Sequence, residues 1–101
     1  MQIAAWLDQE ATKREDISRI VIPKEMLYDE DPDEILYFKE IRPCTFLCSR
    51  THPFAKVARY GHWYYCTGQD KQAGIHSDEM RWTLVTRDKA AALAEARRRI
   101  E

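Results

Sequence analysis

The stretch CTFLCSRTHPFAKVARYGHWYYC, residues 44–66, decides the expected fold, because its aromatic and β-branched residues are typical of strands. The segment THPF at 51–54 contains a proline and predicts a turn. We therefore expect residues 44–50 and 56–66 to form an antiparallel hairpin around that turn.

Three further segments also predict strands. MRWTLVT at 80–86 follows a polar loop, and we expect it to pair with the second strand of the hairpin, which places Tyr64 near Trp82. Upstream, ISRIVIP at 17–23 and EILYFKEIR at 34–42 are rich in β-branched and aromatic residues.

Helices are expected at both ends of the chain. Residues 3–14 carry apolar side chains at helical spacing, and residues 86–101 begin with Thr86 as a natural N-cap and end in arginines that suit the helix dipole. The expected fold class is α+β: a small antiparallel sheet of three to five strands, with an N-terminal and a C-terminal helix packed on it. A chain of this length predicts a single domain over residues 1–101.

Side chains alternate along a strand, so these registers divide the sheet into two faces. We expect the first face to be apolar and to be covered by the C-terminal helix through Ala90, Leu93, Ala94 and Ile100. The members of that face are Cys44, Phe46, Cys48, Ala58, Tyr60, His62, Tyr64, Cys66, Met80, Trp82 and Leu84. All three cysteines lie there, as small buried hydrophobic residues do.

The same face raises two chemical alternatives. Zinc could be held by Cys44, Cys48, His62 and Cys66, although positions four apart on a strand stand about 13 Å apart and zinc needs its ligands within about 2.3 Å. A thiol at Cys44 beside His62 could form a nucleophile with its base, but no third group orients the histidine and no Gly-rich turn builds an oxyanion hole. We therefore expect no cofactor, no metal and no catalytic activity.

The second face mixes cations with aromatic rings at Arg59, Trp63, Tyr65 and Arg81. Rings that stack on bases beside cations that hold phosphates are typical of nucleic-acid-binding surfaces, so nucleic-acid binding through these four residues is one functional interpretation. In the other interpretation the N-terminal helix covers this face and packs Trp6 and Leu7 on Trp63, because a small sheet needs a second layer.

A resemblance to a known family supports the first of these interpretations. Residues 59–98 resemble the arm-type DNA-binding module of tyrosine recombinases, in which three strands are followed by a Thr-led helix. The residues that carry the resemblance are Gly61, Trp63, Trp82, Thr86, Lys89 and Ala90. The resemblance implies that the DNA groove is faced by Arg59, Trp63, Tyr65 and Arg81. The chain departs from that family because it has no catalytic recombinase domain and its first half is acidic.

The two halves of the chain differ in charge. Residues 1–50 hold 7 Lys and Arg against 11 Asp and Glu, whereas residues 51–101 hold 9 against 6. The acidic side chains concentrate in the segment DEDPDE, which we call the acidic segment: Asp29, Glu30, Asp31, Asp33 and Glu34. Such asymmetry can steer a partner, although a charge run can also be a merely solvated loop.

The leading functional prediction is a small non-enzymatic regulatory or inhibitory protein of the phage or mobile-element type. We expect it to bind a protein partner through the acidic segment, with a basic nucleic-acid-handling protein as the partner. The first residues show no basic start followed by an apolar run, and no window predicts a membrane span, so we expect a cytoplasmic protein without membrane contact.

Overall fold

The computed structural model describes residues 2–39, 54–69 and 82–100. Within these ranges lie three helices and four strands: α1 (Ile3–Lys13), α2 (Lys24–Asp29), β1 (Glu34–Lys39), β2 (Phe54–Tyr60), β3 (Trp63–Gln69), β4 (Trp82–Thr86) and α3 (Lys89–Ile100). All neighbouring strands are antiparallel, and their order across the sheet is β1-β2-β3-β4. The predicted α+β class, with helices at both ends packed on a small antiparallel sheet, is confirmed.

A two-residue turn at Gly61 and His62 joins β2 to β3, so the single strand predicted over 56–66 is wrong. Gly61 has a φ of 64°, in the left-handed region that glycine adopts without steric cost and that short hairpin turns require. Tyr60 and Trp63 face each other directly across the turn. Gly61, although it lies within a strand-like run, therefore marks a turn.

The turn changes which residues of β2 share a face with β3. Ala58 pairs with Tyr65, and Val57 pairs with Cys66. The prediction places Ala58 and Tyr60 on the same face of the sheet as Cys66, which is wrong. Because the turn pairs Tyr60 with Trp63, Ala58 and Tyr60 share a face with Trp63 and Tyr65, and Cys66 lies on the opposite face.

The predicted partner of β2 is also wrong. Strand β2 pairs with β1 along one edge and with β3 along the other. It therefore has no free edge on which residues 56–60 could pair with residues 44–50. Residues 44–50 themselves lie outside the described part of the chain. The register of β3 with β4 is shifted as well, since Tyr64 pairs with Thr86 and not with Trp82. Because side chains alternate between the faces with a period of two, a shift of four positions leaves each side chain on its predicted face. The residues of β3 and β4 that were predicted to share a face therefore do so.

The N-terminal part of the chain covers one face of the sheet. Ile3 and Leu7, one helical turn apart on α1, are fully buried against a cluster that includes Tyr60, Trp63 and Tyr65. Residues 17–22, predicted as a strand, are not a strand but an irregular segment that buries Ile17, Ile20 and Ile22 in the same cluster. It is also bonded to β4, where the Val85 N–H donates to the Ser18 carbonyl at 2.8 Å and the Arg19 guanidinium donates to the Thr83 carbonyl at 3.0 Å.

Helix α3 covers the opposite face. Ala92 and Ala96 are fully buried against Val57 and Cys66, where their small side chains let the helix lie close to the strands. Leu93 packs at the edge of this cluster as predicted, but Ala90 and Ala94 are exposed. The helix begins later than predicted, because its N-cap is Asp88, whose Oδ1 accepts from the Ala90 N–H at 3.0 Å.

Candidate functional site

Three of the five carboxylates in the acidic segment are used inside the fold. Glu30 Oε1 accepts a hydrogen bond from the Ile3 N–H at 2.7 Å, and so supplies a partner for one of the free donors at the start of α1. Asp33 Oδ2 accepts from the Gly61 N–H at 2.7 Å and holds the β2–β3 turn. Glu34 forms an ion pair with Arg59 at 3.3 Å. These carboxylates fasten the acidic segment to α1 and to the hairpin.

The other two carboxylates of the segment, Asp29 and Asp31, are exposed, as is Glu25 on α2. Within the described part of the chain, none of the three makes a hydrogen bond or an ion pair. They border an open cleft of about 670 Å³, which we call the acidic cleft, lined among the described residues by Gln2, Glu25, Met26, Asp29, Glu30, Asp31 and Asp33. Five of these seven side chains are carboxylates and none is basic, so the acidic cleft is a surface of concentrated negative charge.

A second and smaller cleft adjoins the first and shares Glu30 and Asp31 with it. This tyrosine cleft has a volume of about 280 Å³ and lies between α2, the acidic segment and the centre of the sheet. Its described lining residues are Leu27, Tyr28, Glu30, Asp31, Pro32, Lys56, Ala58, Tyr60, Tyr65 and Thr67. The tyrosine cleft therefore combines aromatic and aliphatic walls with charged groups.

The phenol groups of Tyr60 and Tyr65 in the tyrosine cleft both have raised pKa values. Burial, and after it the negative charges of Glu30, Asp31 and Asp33, together raise the pKa of Tyr60 to about 12. Burial also raises the pKa of Tyr65, and the nearby Ile22 backbone and Thr67 hydroxyl offset part of that rise. Both phenols therefore stay protonated at neutral pH and can act as donors.

Thr67 presents an unsatisfied polar group in the wall of this cleft. Thr67 Oγ1 is buried and has no hydrogen-bond partner among the residues that the structure describes. A buried hydroxyl without a partner costs about 1–3 kcal/mol, and such groups are uncommon in folded proteins.

Two of the four residues predicted for nucleic-acid binding, Trp63 and Tyr65, are buried in this fold. Trp63 and Tyr65 are only 5% and 4% exposed, because α1 and residues 17–22, which together form an N-terminal layer, cover their face of the sheet. The alternative interpretation predicted that the N-terminal helix covers this face. Leu7 lies in the same buried cluster and Trp6 packs against it. Their rings cannot stack on bases while that layer is in place.

The polar contacts of Trp63 and Arg59 are also made within the chain. Trp63 Nε1 donates to Asp8 Oδ1 at 2.9 Å, and the Arg87 guanidinium lies over the Trp63 ring at 4.4 Å from its centroid. Arg59 is held by Glu34 and by Asp33, the latter at 3.8 Å. Arg81 lies outside the described residues. The order β2-β3-β4-α3 agrees with three strands followed by a helix, and the recombinase resemblance stays a prediction.

The residues predicted as an alternative metal or catalytic site are not brought together where the structure describes them. Cys66 is fully buried between the sheet and α3, whereas His62 is exposed at the β2–β3 turn. Burial raises the pKa of the Cys66 thiol to about 12, so the free thiol is protonated at neutral pH. Cys44 and Cys48 lie outside the described residues, and within the described ranges no group of three His, Cys, Asp or Glu side chains could hold a metal ion.

Comparison of the chain with known protein families, with curated proteins and with solved structures returned no match. Among the described helices, none has both the length and the apolar character needed to cross a membrane. Sequence reasoning missed the tyrosine cleft, because its walls come from α2, β2 and β3 and meet only after the Gly61 turn folds β3 back along β2.

Proposed function

We propose that this protein is a non-enzymatic, cytoplasmic regulator that binds a basic protein partner through the acidic cleft. The observation that carries the proposal is the set of exposed carboxylates of Glu25, Asp29 and Asp31, which make no ion pair within the described residues and line a cleft with no basic side chain among its described lining residues. The carboxylates that the fold needs for itself lie next to this set and are already bonded.

Several exposed carboxylates in one concave surface suit a partner that presents clustered Lys and Arg. A single exposed ion pair contributes only about 0.2–1 kcal/mol, so the charge acts mainly by steering the encounter and by selecting among partners. Nucleic-acid-handling proteins carry such clusters for phosphate binding, and a small acidic protein seated on them would compete with nucleic acid. The expected effect on the partner is therefore inhibitory or regulatory.

The test separates free carboxylates from bonded ones. The variant E25Q/D29N removes two negative charges from the acidic cleft and leaves Glu30, Asp33 and Glu34 to hold the fold. The matched control is E15K, which changes the net charge by the same amount at an exposed position beyond the other end of α1.

Tagged wild-type protein, the double variant and the control are used to capture partners from an extract of the source cells, at two salt concentrations. We expect a specific basic partner to be captured by the wild type and the control, to be lost with E25Q/D29N, and to weaken as salt rises. Capture of the same partner by E25Q/D29N at wild-type levels contradicts the proposal.

A further inference from the structure

We propose that the tyrosine cleft is a specificity pocket for one arginine side chain of the partner, an inference that rests on the proposed function. The tyrosine cleft is about 280 Å³, at the lower end of the range of about 300–1,000 Å³ that is usual for pockets holding whole small molecules. Its size suits one long side chain, and the shared residues Glu30 and Asp31 make it continuous with the acidic cleft.

The acidic and basic residues that line the tyrosine cleft come from different elements. Glu30 and Asp31 line the cleft together with Tyr60, whose pKa they help to raise, whereas the backbone of Lys56 lies four residues from that of Tyr60 on β2, about 13 Å away along an extended strand. Glu30 uses Oε1 to accept from Ile3, and within the described residues Asp31 makes no hydrogen bond or ion pair. The Tyr60 end of the cleft therefore has carboxylate oxygens available for a cation.

The other end of the cleft has donors. Lys56 and Thr67 are directly opposite each other on β2 and β3, and Thr67 Oγ1 is buried without a hydrogen-bond partner among the described residues. A bound cation is therefore expected at the Tyr60 end of the cleft, away from the ammonium group of Lys56.

Arginine fits this cleft better than lysine for three reasons. A planar guanidinium stacks on tyrosine rings, here the exposed ring of Tyr28 at the border of the cleft. It also forms paired hydrogen bonds with a carboxylate, and it is less strongly hydrated than an ammonium group, which lowers the cost of leaving water. Its methylene groups would lie along Leu27 and Ala58.

The experiment uses the full chain and two small probes without charged termini, N-acetyl-arginine amide and N-acetyl-lysine amide. Each probe is titrated into ¹⁵N-labelled protein while backbone amide shifts are followed. We expect the arginine probe to shift amides in residues 27–31 and 56–60, and to bind about threefold or more tightly than the lysine probe.

Two variants test the assigned contacts. D31N and Y28A should each weaken binding of the arginine probe by about threefold, and both positions are exposed, so the fold is unaffected. The matched control for D31N is D29N, which makes the same chemical change in the acidic cleft but outside the tyrosine cleft, and it should leave binding unchanged.

Equal shifts with both probes, or equal losses with D31N and D29N, overturn the arginine pocket and show only general attraction to negative charge. Neither result bears on the acidic cleft itself, because that proposal is decided by partner capture with E25Q/D29N, in which the tyrosine cleft is intact. Conversely, an arginine probe that binds as expected, with no partner lost on E25Q/D29N, supports the pocket alone.

Discussion

Substitution of Gly61 by alanine should destabilise the protein by about 2–4 kcal/mol. The φ of 64° at this position costs an alanine about 1–2 kcal/mol, part of which is offset by the reduced entropy of the unfolded chain. The added methyl group would also stand 3.0 Å from the Cβ of Ala4 on α1, and a forced contact of this kind in a packed region costs about 1–3 kcal/mol. Domains of this size usually have a total stability of about 5–15 kcal/mol, so the effect is large.

Urea denaturation of G61A measures this loss, and a double-mutant cycle separates its two causes. A4G removes the methyl group that clashes, so A4G/G61A should be more stable than the sum of the single effects predicts by about 1 kcal/mol or more. The matched control is A5G, at the neighbouring exposed position of α1, which has a similar helix-propensity cost and should combine additively with G61A. Unchanged stability of G61A, or equal coupling to A4G and A5G, would refute the described contact between the turn and α1.

Three further predictions test other parts of the fold. E30Q should lower the free energy of unfolding by about 1 kcal/mol, because it removes the charge bonded at the start of α1, whereas D29N should change it little; urea denaturation compares them. A96L should cost about 1–3 kcal/mol by overpacking beneath α3, and A94L on the exposed side should cost less than about 0.5 kcal/mol; equal effects would mean that α3 is rotated. The folded-state pKa of Cys66, about 12, lies above its ordinary value of 9.0, so this thiol supports the fold below pH 9 and its contribution is lost as pH rises toward 12. The urea midpoint should therefore fall over that window more steeply in the wild type than in C66A, and parallel curves would contradict the burial of the thiol.

Periodicity and propensity were sufficient for the fold class, because the strands and the terminal helices have clear local patterns. The Ala-rich C-terminal helix and the strand at EILYFK are in place in the structure. The register of β3 with β4 was missed because alternation constrains only the parity of pairing, and a shift of four positions preserves every face. Hydrophobic pattern alone does not distinguish the two registers.

The error with the greatest consequence concerned Gly61. When the turn is missed, Tyr60 is assigned to the wrong side of the sheet, and the tyrosine cleft does not form in the expected arrangement. Composition predicts the acidic segment as a charged partner surface, but composition treats its five carboxylates as equivalent. Only the folded chain distinguishes Glu30, Asp33 and Glu34, which are bonded, from Asp29 and Asp31, which make no bond to any residue that the structure describes.

The bonds of Glu30 and Asp33 tie the acidic segment to sites 27 residues before it and 28 residues after it in the chain. A segment of six residues is therefore subject to two independent requirements. Positions 30, 33 and 34 can change only at the expense of the folded state, while positions 29 and 31 are free to follow whatever surface the protein binds. Because bonded and unbonded positions are mixed within one short segment, substitutions at positions 29 and 31 can change the binding specificity while the bonded positions keep the backbone of the segment in place.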